Sequence, residues 1–243
     1  ITEADIHGVE SIKLQHKGES LIYKNIWELW DYIFERCDFA DTMCNTHLGV
    51  ELEEWQVKSL ARLTTLIISL DSVKNYKTVR VSKVKSQQDQ PEGNLPLVIH
   101  NIKRLLQYRD VLFINRRRST QTESDEEYYR LLYERVDIRQ LRFNVRDAQV
   151  RNGNDVFLDL SGRERRYCGM PSRRLLVSAS NGAIIPCCAV YDDKATDMHV
   201  GHVSTGLMDA WSSERLRIMR MKLKKNVLDT ESCIGCQSSD AWK

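Results

Sequence analysis

Cysteine is the residue type in this chain with the most specific chemistry, and its distribution is uneven. Of seven cysteines, five lie after residue 167, and two of these form a Cys-x-x-Cys pair. The five are Cys168, Cys187, Cys188, Cys233 and Cys236. Four thiolates from separate parts of a chain can surround one soft metal centre, either a [4Fe–4S] cluster or a tetrahedral zinc ion. The spacing therefore predicts a metal centre and leaves its identity open.

The composition favours a metal site over a disulfide framework. Seven cysteines in 243 residues are too few and too unevenly placed for a disulfide scaffold. The sequence shows no secretory signal, so we expect the thiols in a reducing, cytoplasmic setting. The net charge of +2 gives no argument for nucleic acid or a membrane as a partner. The longest apolar runs, such as residues 66–70, are too short to span a bilayer.

Strand and helix patterns alternate through the first 150 residues and would position the polar groups between them. Apolar alternation and β-branched runs predict strands at 12–15, 38–45, 64–70, 110–115 and 138–145. Helical spacing of apolar residues predicts helices at 23–36, 52–63, 97–108 and 124–135. This repetition implies a parallel sheet, open or closed into a barrel. In both forms the chemistry lies at the carboxyl ends of the strands.

The remainder of the chain has a different organisation. We predict a first domain at 1–150, a linker at 151–164 and a second domain at 165–243. Asn181-Gly182 is a hairpin signal between strands predicted at 175–180 and 183–185. A helix is predicted from 207 to 225, before the Cys233–Cys236 pair.

Three short motifs lie between the cysteines. They are residues 182–188 (Gly-Ala-Ile-Ile-Pro-Cys-Cys), residues 200–203 (Val-Gly-His-Val) and residues 209–217, which contain Trp211 and two arginines. Together with the cysteine spacing they resemble the SPASM/Twitch domains that follow the catalytic barrel of radical S-adenosylmethionine enzymes. The resemblance covers about residues 165–236 and implies a small α+β domain that binds an iron–sulfur cluster.

The resemblance implies that Cys168, Cys187, Cys233 and Cys236 bind one auxiliary [4Fe–4S] cluster. A full SPASM domain carries further cysteines for a second cluster, so this chain looks like the shorter Twitch arrangement. The Cys-Gly-Met-Pro sequence that begins at Cys168 resembles the alcohol dehydrogenase type of the butirosin pathway. Cys188 would face away from its neighbour on a strand, and we expect it to be a small buried residue. A structural zinc site remains the alternative.

The first domain resembles the same enzymes in the loop after its first strand. Residues 16–20 (His-Lys-Gly-Glu-Ser) look like the GGEP motif, which holds the amino group of S-adenosylmethionine. By resemblance Gly18 and Glu19 would bind this cofactor, since an ammonium group requires carbonyl and carboxylate acceptors. Lys17 and Ser20 depart from the motif, and a plain βα loop is the alternative.

The ends of two later predicted strands also resemble motifs of this enzyme family. Residues 44–48 (Cys-Asn-Thr-His-Leu) partly match a strand end that often reads TNG in this family. The segment Ile67-Ile-Ser-Leu-Asp-Ser72 resembles the family's fourth strand, and by that resemblance Ser69, Asp71 and Arg80 would bind the cofactor or lie at the mouth of its site. A helix cap is the alternative role of Asp71, and a surface charge that of Arg80.

The Arg116-Arg117-Arg118 run follows a predicted strand. It could bind a phosphate or a carboxylate, but we expect a solvated charge run.

The C-x-x-x-C-x-x-C motif that holds the catalytic cluster in this family does not occur in the sequence. Because the chain begins with Ile1 and with a segment that matches the family's second strand, we expect that the natural N-terminus, with the first strand and this loop, is missing. The fold expected is thus α/β, a partial (β/α) barrel followed by the SPASM/Twitch domain.

The resemblance implies an enzyme that abstracts a hydrogen atom with a 5′-deoxyadenosyl radical and oxidises a small-molecule or peptide substrate. Its cofactors would be S-adenosylmethionine, the auxiliary cluster and, in the complete protein, a catalytic [4Fe–4S] cluster, with a reductase, flavodoxin or ferredoxin as electron donor. A SPASM-type peptide maturase is one alternative. A non-catalytic binding module stabilised by zinc or a cluster is another.

Overall fold

The structure is a computed structural model that describes residues 1–15, 18–79, 91–147, 167–188, 196–234 and 236. The chain divides into two compact units, Ile1–Ala148 and Gln149–Lys243. This division lies close to the predicted end of the first domain at residue 150. The predicted linker at 151–164 lies outside the described residues.

The first unit is built on a five-stranded parallel sheet. Its strands, in chain order and also in spatial order, are β1 Ser11–Lys13, β2 Asp41–Thr46, β3 Thr65–Ser69, β4 Leu112–Arg118 and β5 Leu141–Asp147. The register aligns the strand ends, because Thr46 lies opposite Ile68, and Ser69 lies opposite Asn115. All five carboxyl ends therefore meet at one edge of the sheet, as the sequence predicts.

Helices connect these strands. They are α1 Thr2–Ile6, α2 Ile26–Arg36, α3 Glu54–Arg62, α4 Tyr76–Val79, α5 Leu95–Leu105 and α6 Asp125–Tyr133, with 3₁₀ turns at Ser20–Ile22 and Ile138–Gln140. Local sequence fixes several helix starts. Glu53 and Gln56 form a capping box at α3, and the Ser124 side chain accepts a hydrogen bond from the Glu127 N–H at α6. The predicted α/β class with a parallel sheet is confirmed.

The two faces of this sheet differ in exposure. On β3, Leu66 and Ile68 are fully buried, whereas Thr65, Ile67 and Ser69 are half-buried. Because side chains alternate along a strand, one face packs into the core and the other is open. Apolar residues of the helices, such as Trp30, Leu60 and Ile102, belong to the buried core. We call the other side the open face of the sheet.

The second unit contains a small antiparallel sheet. Its strands β6 Leu176–Val177, β7 Ala183–Ile185 and β8 Gly201–His202 pair in that order. The predicted hairpin is confirmed, since β6 and β7 are antiparallel around Asn181-Gly182. Gly182 has a φ of +71°, a left-handed conformation that favours glycine. A side chain there would also collide with His202, whose ring lies 2.7 Å from the site of the missing Cβ atom.

Short helices complete the second unit. They are α7 Leu207–Ser212, α8 Glu214–Lys224 and α9 Glu231–Ile234, with 3₁₀ turns at Met170–Ser172 and Thr196–Met198. The prediction of a single helix at 207–225 is wrong, because Ser213 interrupts the helix and separates α7 from α8. This residue has extended backbone angles, and its hydroxyl accepts a hydrogen bond from the Leu216 N–H and so caps α8.

None of the helices among the described residues is long and apolar enough to cross a membrane.

Candidate cofactor and metal sites

Glu19 connects the loop after β1 to the end of β2. Its side chain is only 7% exposed. One carboxylate oxygen accepts hydrogen bonds from the Leu21 N–H (3.1 Å) and the Thr46 hydroxyl (2.7 Å). The other accepts from the His47 N–H (2.8 Å) and lies 3.3 Å from Nε2 of the His47 ring. Three hydrogen-bond donors and the His47 ring thus surround one buried carboxylate, which fixes the relative position of two neighbouring strand ends.

The loop after β2 is held in an uncommon conformation. Leu48 is fully buried and has a φ of +55°, which non-glycine residues rarely adopt. Its N–H donates to the Thr46 hydroxyl at 2.9 Å. The buried amide of Asn101 donates to the carbonyls of Leu48 and Val50 at 2.9 and 2.8 Å. The segment 44–48, which partly matches the strand-end motif, therefore comprises the end of β2 and the start of a loop that Asn101 of α5 holds in place.

Hydrogen bonding determines the tautomer of neutral His47, and burial determines the protonation of Cys44 near the end of β2. The Gly49 N–H donates to Nδ1 of His47 at 2.8 Å, so neutral His47 carries its proton on Nε2, which faces Glu19. Burial and the nearby charge of Glu19 raise the pKa of the Cys44 thiol to about 12. Cys44 is therefore protonated near neutral pH and is unsuited to bind a metal.

Asp71 forms the second carboxylate bridge, between the end of β3 and β4. It is 2% exposed. One oxygen accepts from the Arg117 N–H at 3.0 Å and the other from Nη2 of Arg117 at 3.2 Å. Ser69 lies directly opposite Asn115 on the open face of the sheet. Gly18, with a φ of +73°, Glu19, Ser69 and Asp71 are thus all placed at the carboxyl edge.

Some predicted positions fall outside the described part of the chain. These are Arg80 and the first two residues of the GGEP-like motif, His16 and Lys17. The assignment of Gly18, Glu19, Ser69, Asp71 and Arg80 to a cofactor site stays a prediction.

Glu123 is a site residue that the sequence analysis did not identify. It is 7% exposed and accepts hydrogen bonds from the Ser72 hydroxyl (2.5 Å) and from the N–H groups of Val73 (2.6 Å) and Lys74 (3.3 Å). Its carboxylate thus fixes the loop that follows Asp71. The contact joins residues about fifty positions apart. No local pattern in the sequence signals it.

The expected solvated run at 116–118 is wrong for Arg116, which is fully buried. Strand alternation places Arg116 on the same face of β4 as Leu112 and Ile114, towards the core. Its guanidinium pairs with Asp125, donates to the Glu123 carbonyl at 2.6 Å and lies 4.2 Å from the centre of the Tyr128 ring. Burial of this cation is tolerated because Asp125, the Glu123 carbonyl and the Tyr128 ring provide interactions that water would otherwise provide.

The predicted cysteine ligands border one small core in the second unit. Cys187 is part of this core, together with Ile184, Leu216 and other apolar residues. Cys168 and Cys233 are partly buried and pack against it. The Cys236 N–H donates to the Cys233 carbonyl at 3.2 Å, which forms a tight turn in the Cys-x-x-Cys pair. Cys188 also packs against the core, but it is half-buried and not fully enclosed.

Two polar contacts position the cysteine-bearing segments. Both carboxylate oxygens of Asp197 accept hydrogen bonds from Ser232, one from its N–H and one from its hydroxyl, each at 3.0 Å. This anchors α9, which carries Cys233. Arg220 donates to the Pro171 carbonyl and to the Trp211 carbonyl, each at 2.9 Å, and its guanidinium lies 4.0 Å from the centre of the Trp211 ring. This anchors the turn that follows Cys168.

An anionic metal centre fits these surroundings. Nη2 of Arg220 is buried and has no hydrogen-bond partner among the described residues. An unpaired buried donor of a cation is costly, and a cluster held by thiolates is an anionic group that would pair with it. Within the described ranges, however, no three His, Cys, Asp or Glu side chains lie close enough together to hold a metal ion. The four-cysteine ligand set therefore stays a prediction.

Comparison with known proteins supports the assignment of the second unit. Residues 168–237 match the family model SPASM, described as an iron-sulfur cluster-binding domain. The match begins at Cys168 and includes Cys187, Cys233 and Cys236. No curated protein matches the sequence.

Solved structures resemble the whole chain. BtrN in complex with AdoMet and 2-DOIA is 14% identical, and the likeness covers 98% of this chain and 77% of that one, with a TM-score of 0.55. Native anSMEcpe with bound AdoMet is 13% identical over 98% and 76%, with a TM-score of 0.60. Native anSMEcpe with bound AdoMet and Kp18Cys peptide is 12% identical over 95% and 74%, with a TM-score of 0.55. At these identities the likeness is one of fold.

Proposed function

Because the chain carries a SPASM iron–sulfur cluster-binding domain and has the fold of radical S-adenosylmethionine enzymes with such a domain, we propose that it catalyses hydrogen abstraction as one of these enzymes. The observation that carries the proposal is the domain match at 168–237, which contains all four predicted cluster ligands. We propose a cytoplasmic enzyme that receives electrons from a reductase, a flavodoxin or a ferredoxin.

The residues of the first unit would bind and orient S-adenosylmethionine. This cofactor supplies, on reductive cleavage, the 5′-deoxyadenosyl radical that abstracts a hydrogen atom. Contacts of Glu19 with Thr46 and His47 hold Gly18 and Glu19 beside the end of β2, where their carbonyl groups would serve as acceptors for an ammonium group. Ser69 and Asp71 lie at the neighbouring strand end, where a hydroxyl donor and a fixed charge could orient the rest of the cofactor.

The residues of the second unit would hold one auxiliary [4Fe–4S] cluster through Cys168, Cys187, Cys233 and Cys236. Bound there, the cluster would supply a one-electron acceptor for a substrate radical, or structural support. With electron acceptance the substrate loses one hydrogen atom, one proton and one electron in total. The net result is a two-electron oxidation, for example of an alcohol to a ketone. The fully buried or half-buried positions of the four cysteines limit the access of water.

Peptide modification is the second candidate function. It is favoured by the likeness of fold to anSMEcpe, which has been solved with a bound peptide. The small-molecule alternative is favoured equally by the likeness to BtrN, solved with 2-DOIA. The two differ in the required space, since a peptide needs an extended groove and a small molecule an enclosed pocket.

The test of the proposed function is the content of iron, sulfide and zinc per chain after anaerobic reconstitution. We expect about four iron and about four sulfide atoms per chain, the content of a single [4Fe–4S] cluster. About one zinc ion and no iron would overturn the proposal in favour of a metal-stabilised binding module. Where the natural protein carries a catalytic-cluster loop, it should in addition release 5′-deoxyadenosine from S-adenosylmethionine under reducing conditions, and its failure to do so would exclude the radical reaction.

A further inference from the structure

The open face of the sheet carries two rows of polar side chains near its carboxyl edge. The first row contains Ser69, Asn115 and Asn144, which lie opposite one another on β3, β4 and β5. The amide groups of Asn115 and Asn144 are 2.8 Å apart. The second row, two residues nearer the edge, contains Arg117 and Arg146, which are direct register partners.

Both arginines of the second row are exposed to solvent. Partners in register point to the same face, so the two arginine side chains leave neighbouring strands on the same face of the sheet. Like charges directly opposite each other destabilise a sheet unless another group neutralises them. Asp71 neutralises Arg117, whereas no carboxylate of the described residues forms an ion pair with Arg146.

The local contacts also orient the two guanidinium groups. Asp71, itself 2% exposed, takes one of the five N–H donors of Arg117, whose side chain remains 59% exposed. Nε of Arg146 lies 3.3 Å from the side-chain amide of Asn144. Each side chain thus has a defined contact at one point, and each keeps N–H donors that have no partner among the described residues. Arginine donors in a fixed fork match the geometry of carboxylate and phosphate groups.

We propose that Arg117 and Arg146 form a binding site for an anionic group, a carboxylate or a phosphate, at the carboxyl edge of the sheet. The proposal rests on the proposed function in one respect, namely that the anion belongs to a ligand of that reaction. Two ligands could supply it: the substrate, or the methionine carboxylate of S-adenosylmethionine. The site would select for anionic substrates in the first case.

Arg142 provides a matched control. It lies on the same strand and the same face as Arg146, but nearer the start of β5 and opposite Phe113. Its guanidinium donates to the carbonyls of Arg139 and Leu141, at 2.9 and 3.1 Å. Removal of its charge changes the net charge of the chain by the same amount without touching the arginine pair.

The experiment is a calorimetric titration of the chain with inorganic phosphate in a chloride buffer of low ionic strength. We expect saturable binding, weakened about tenfold or more by Arg146→Gln and by Arg117→Gln, and unchanged by Arg142→Gln. Absence of phosphate binding to the unaltered chain would overturn the proposal. An equal loss in all three variants would also overturn it, because it would indicate only a general effect of charge.

S-adenosylmethionine binding in the same variants identifies the source of the anion. If phosphate affinity falls while affinity for S-adenosylmethionine is unchanged, the site takes the anionic group of the substrate. If both fall and phosphate competes with S-adenosylmethionine, the site takes the methionine carboxylate. The metal content of the second unit is measured independently, so an intact phosphate site with zinc and no iron would reject the proposed function and retain the anion site.

Discussion

The two units of this chain hold their candidate functional residues in different ways. In the first unit, buried carboxylates of Glu19 and Asp71 each bond to the backbone of the next strand end. In the second unit, Cys187 belongs to a small apolar core that Cys168 and Cys233 contact, and a buried guanidinium N–H of Arg220 has no partner among the described residues. The two carboxylates of the first unit thus have hydrogen-bond partners within the protein, whereas the Arg220 N–H group of the second unit is left for an added group.

This difference predicts how each unit depends on its cofactor. A site built from satisfied hydrogen bonds is preorganised, and ligand binding then adds little to the stability of the surrounding fold. A small core bordered by the predicted cysteine ligands should gain much of its folding free energy from the metal, because the ligands are separated in the unfolded chain. We therefore expect metal removal to destabilise the second unit and to leave the first unit nearly unchanged.

The largest expected effect comes from Cys233→Ala. This variant should lose most of the iron and sulfide bound after reconstitution, because one of four ligands is absent. Hydrogen exchange should become much faster at residues 168–234 and remain unchanged at residues 1–147, because the metal stabilises only the unit that binds it. Metal analysis and hydrogen-exchange mass spectrometry measure the two effects.

Cys188→Ala is the matched control for this variant. Cys188 packs against the same core, but it is not one of the predicted ligands. The iron content of Cys188→Ala should equal that of the unaltered chain. Iron retained in Cys233→Ala, or lost equally in Cys188→Ala, would contradict the ligand assignment.

Glu19→Gln should have the opposite pattern to Cys233→Ala, because it should destabilise the first unit and leave the metal content of the second unit unchanged. The glutamine side chain has a single acceptor oxygen and would direct an NH₂ group at donors that now face a carboxylate. We expect a loss of about 2 kcal/mol in the free energy of unfolding of the first unit, the usual cost of unsatisfied buried donors. Affinity for S-adenosylmethionine should fall as well, while iron content stays unchanged.

Glu51→Gln removes the same charge from an exposed position of the first unit and should have little effect. Urea denaturation of the two variants gives the comparison. Equal stability of Glu19→Gln and Glu51→Gln would mean that the carboxylate bridge does not hold the strand ends.

The elements of both units could be predicted from local sequence, but the contacts that support the sites could not. Apolar periodicity located the parallel strands, and Asn181-Gly182 located the hairpin. Local patterns failed where a side chain competes with the backbone, as at Ser213, whose hydroxyl ends one helix and begins the next. Local patterns failed also at Arg116, which was expected to be solvated. Its burial depends on the positions of Tyr128 and Asp125 in the folded unit, which no pattern within β4 indicates.

Glu123 illustrates the same limit and gives the smallest predicted effect. Burial alone would raise the pKa of its carboxyl, but hydrogen bonds from Ser72 and from the N–H groups of Val73 and Lys74 outweigh burial and lower it. A carboxyl whose pKa is lower in the folded state stabilises the protein above the pKa of the unfolded chain, about 4.3 for glutamate. That contribution is lost as the pH falls through the folded pKa.

The first unit of the unaltered chain should therefore lose stability between about pH 5 and the lowered pKa of Glu123, and the loss should be smaller in Glu123→Gln. Glu126→Gln, an exposed change of the same charge in α6, should retain the full loss.

Urea denaturation at pH 7 and at successively lower pH measures the slope of the free energy of unfolding with pH, and hydrogen exchange assigns the change to residues 1–147. Equal slopes in all three proteins would show that the Ser72 loop is not held by an ionised Glu123. A smaller slope in Glu123→Gln alone would show that the first unit is stabilised by its own charges, in contrast to the metal dependence expected of the second.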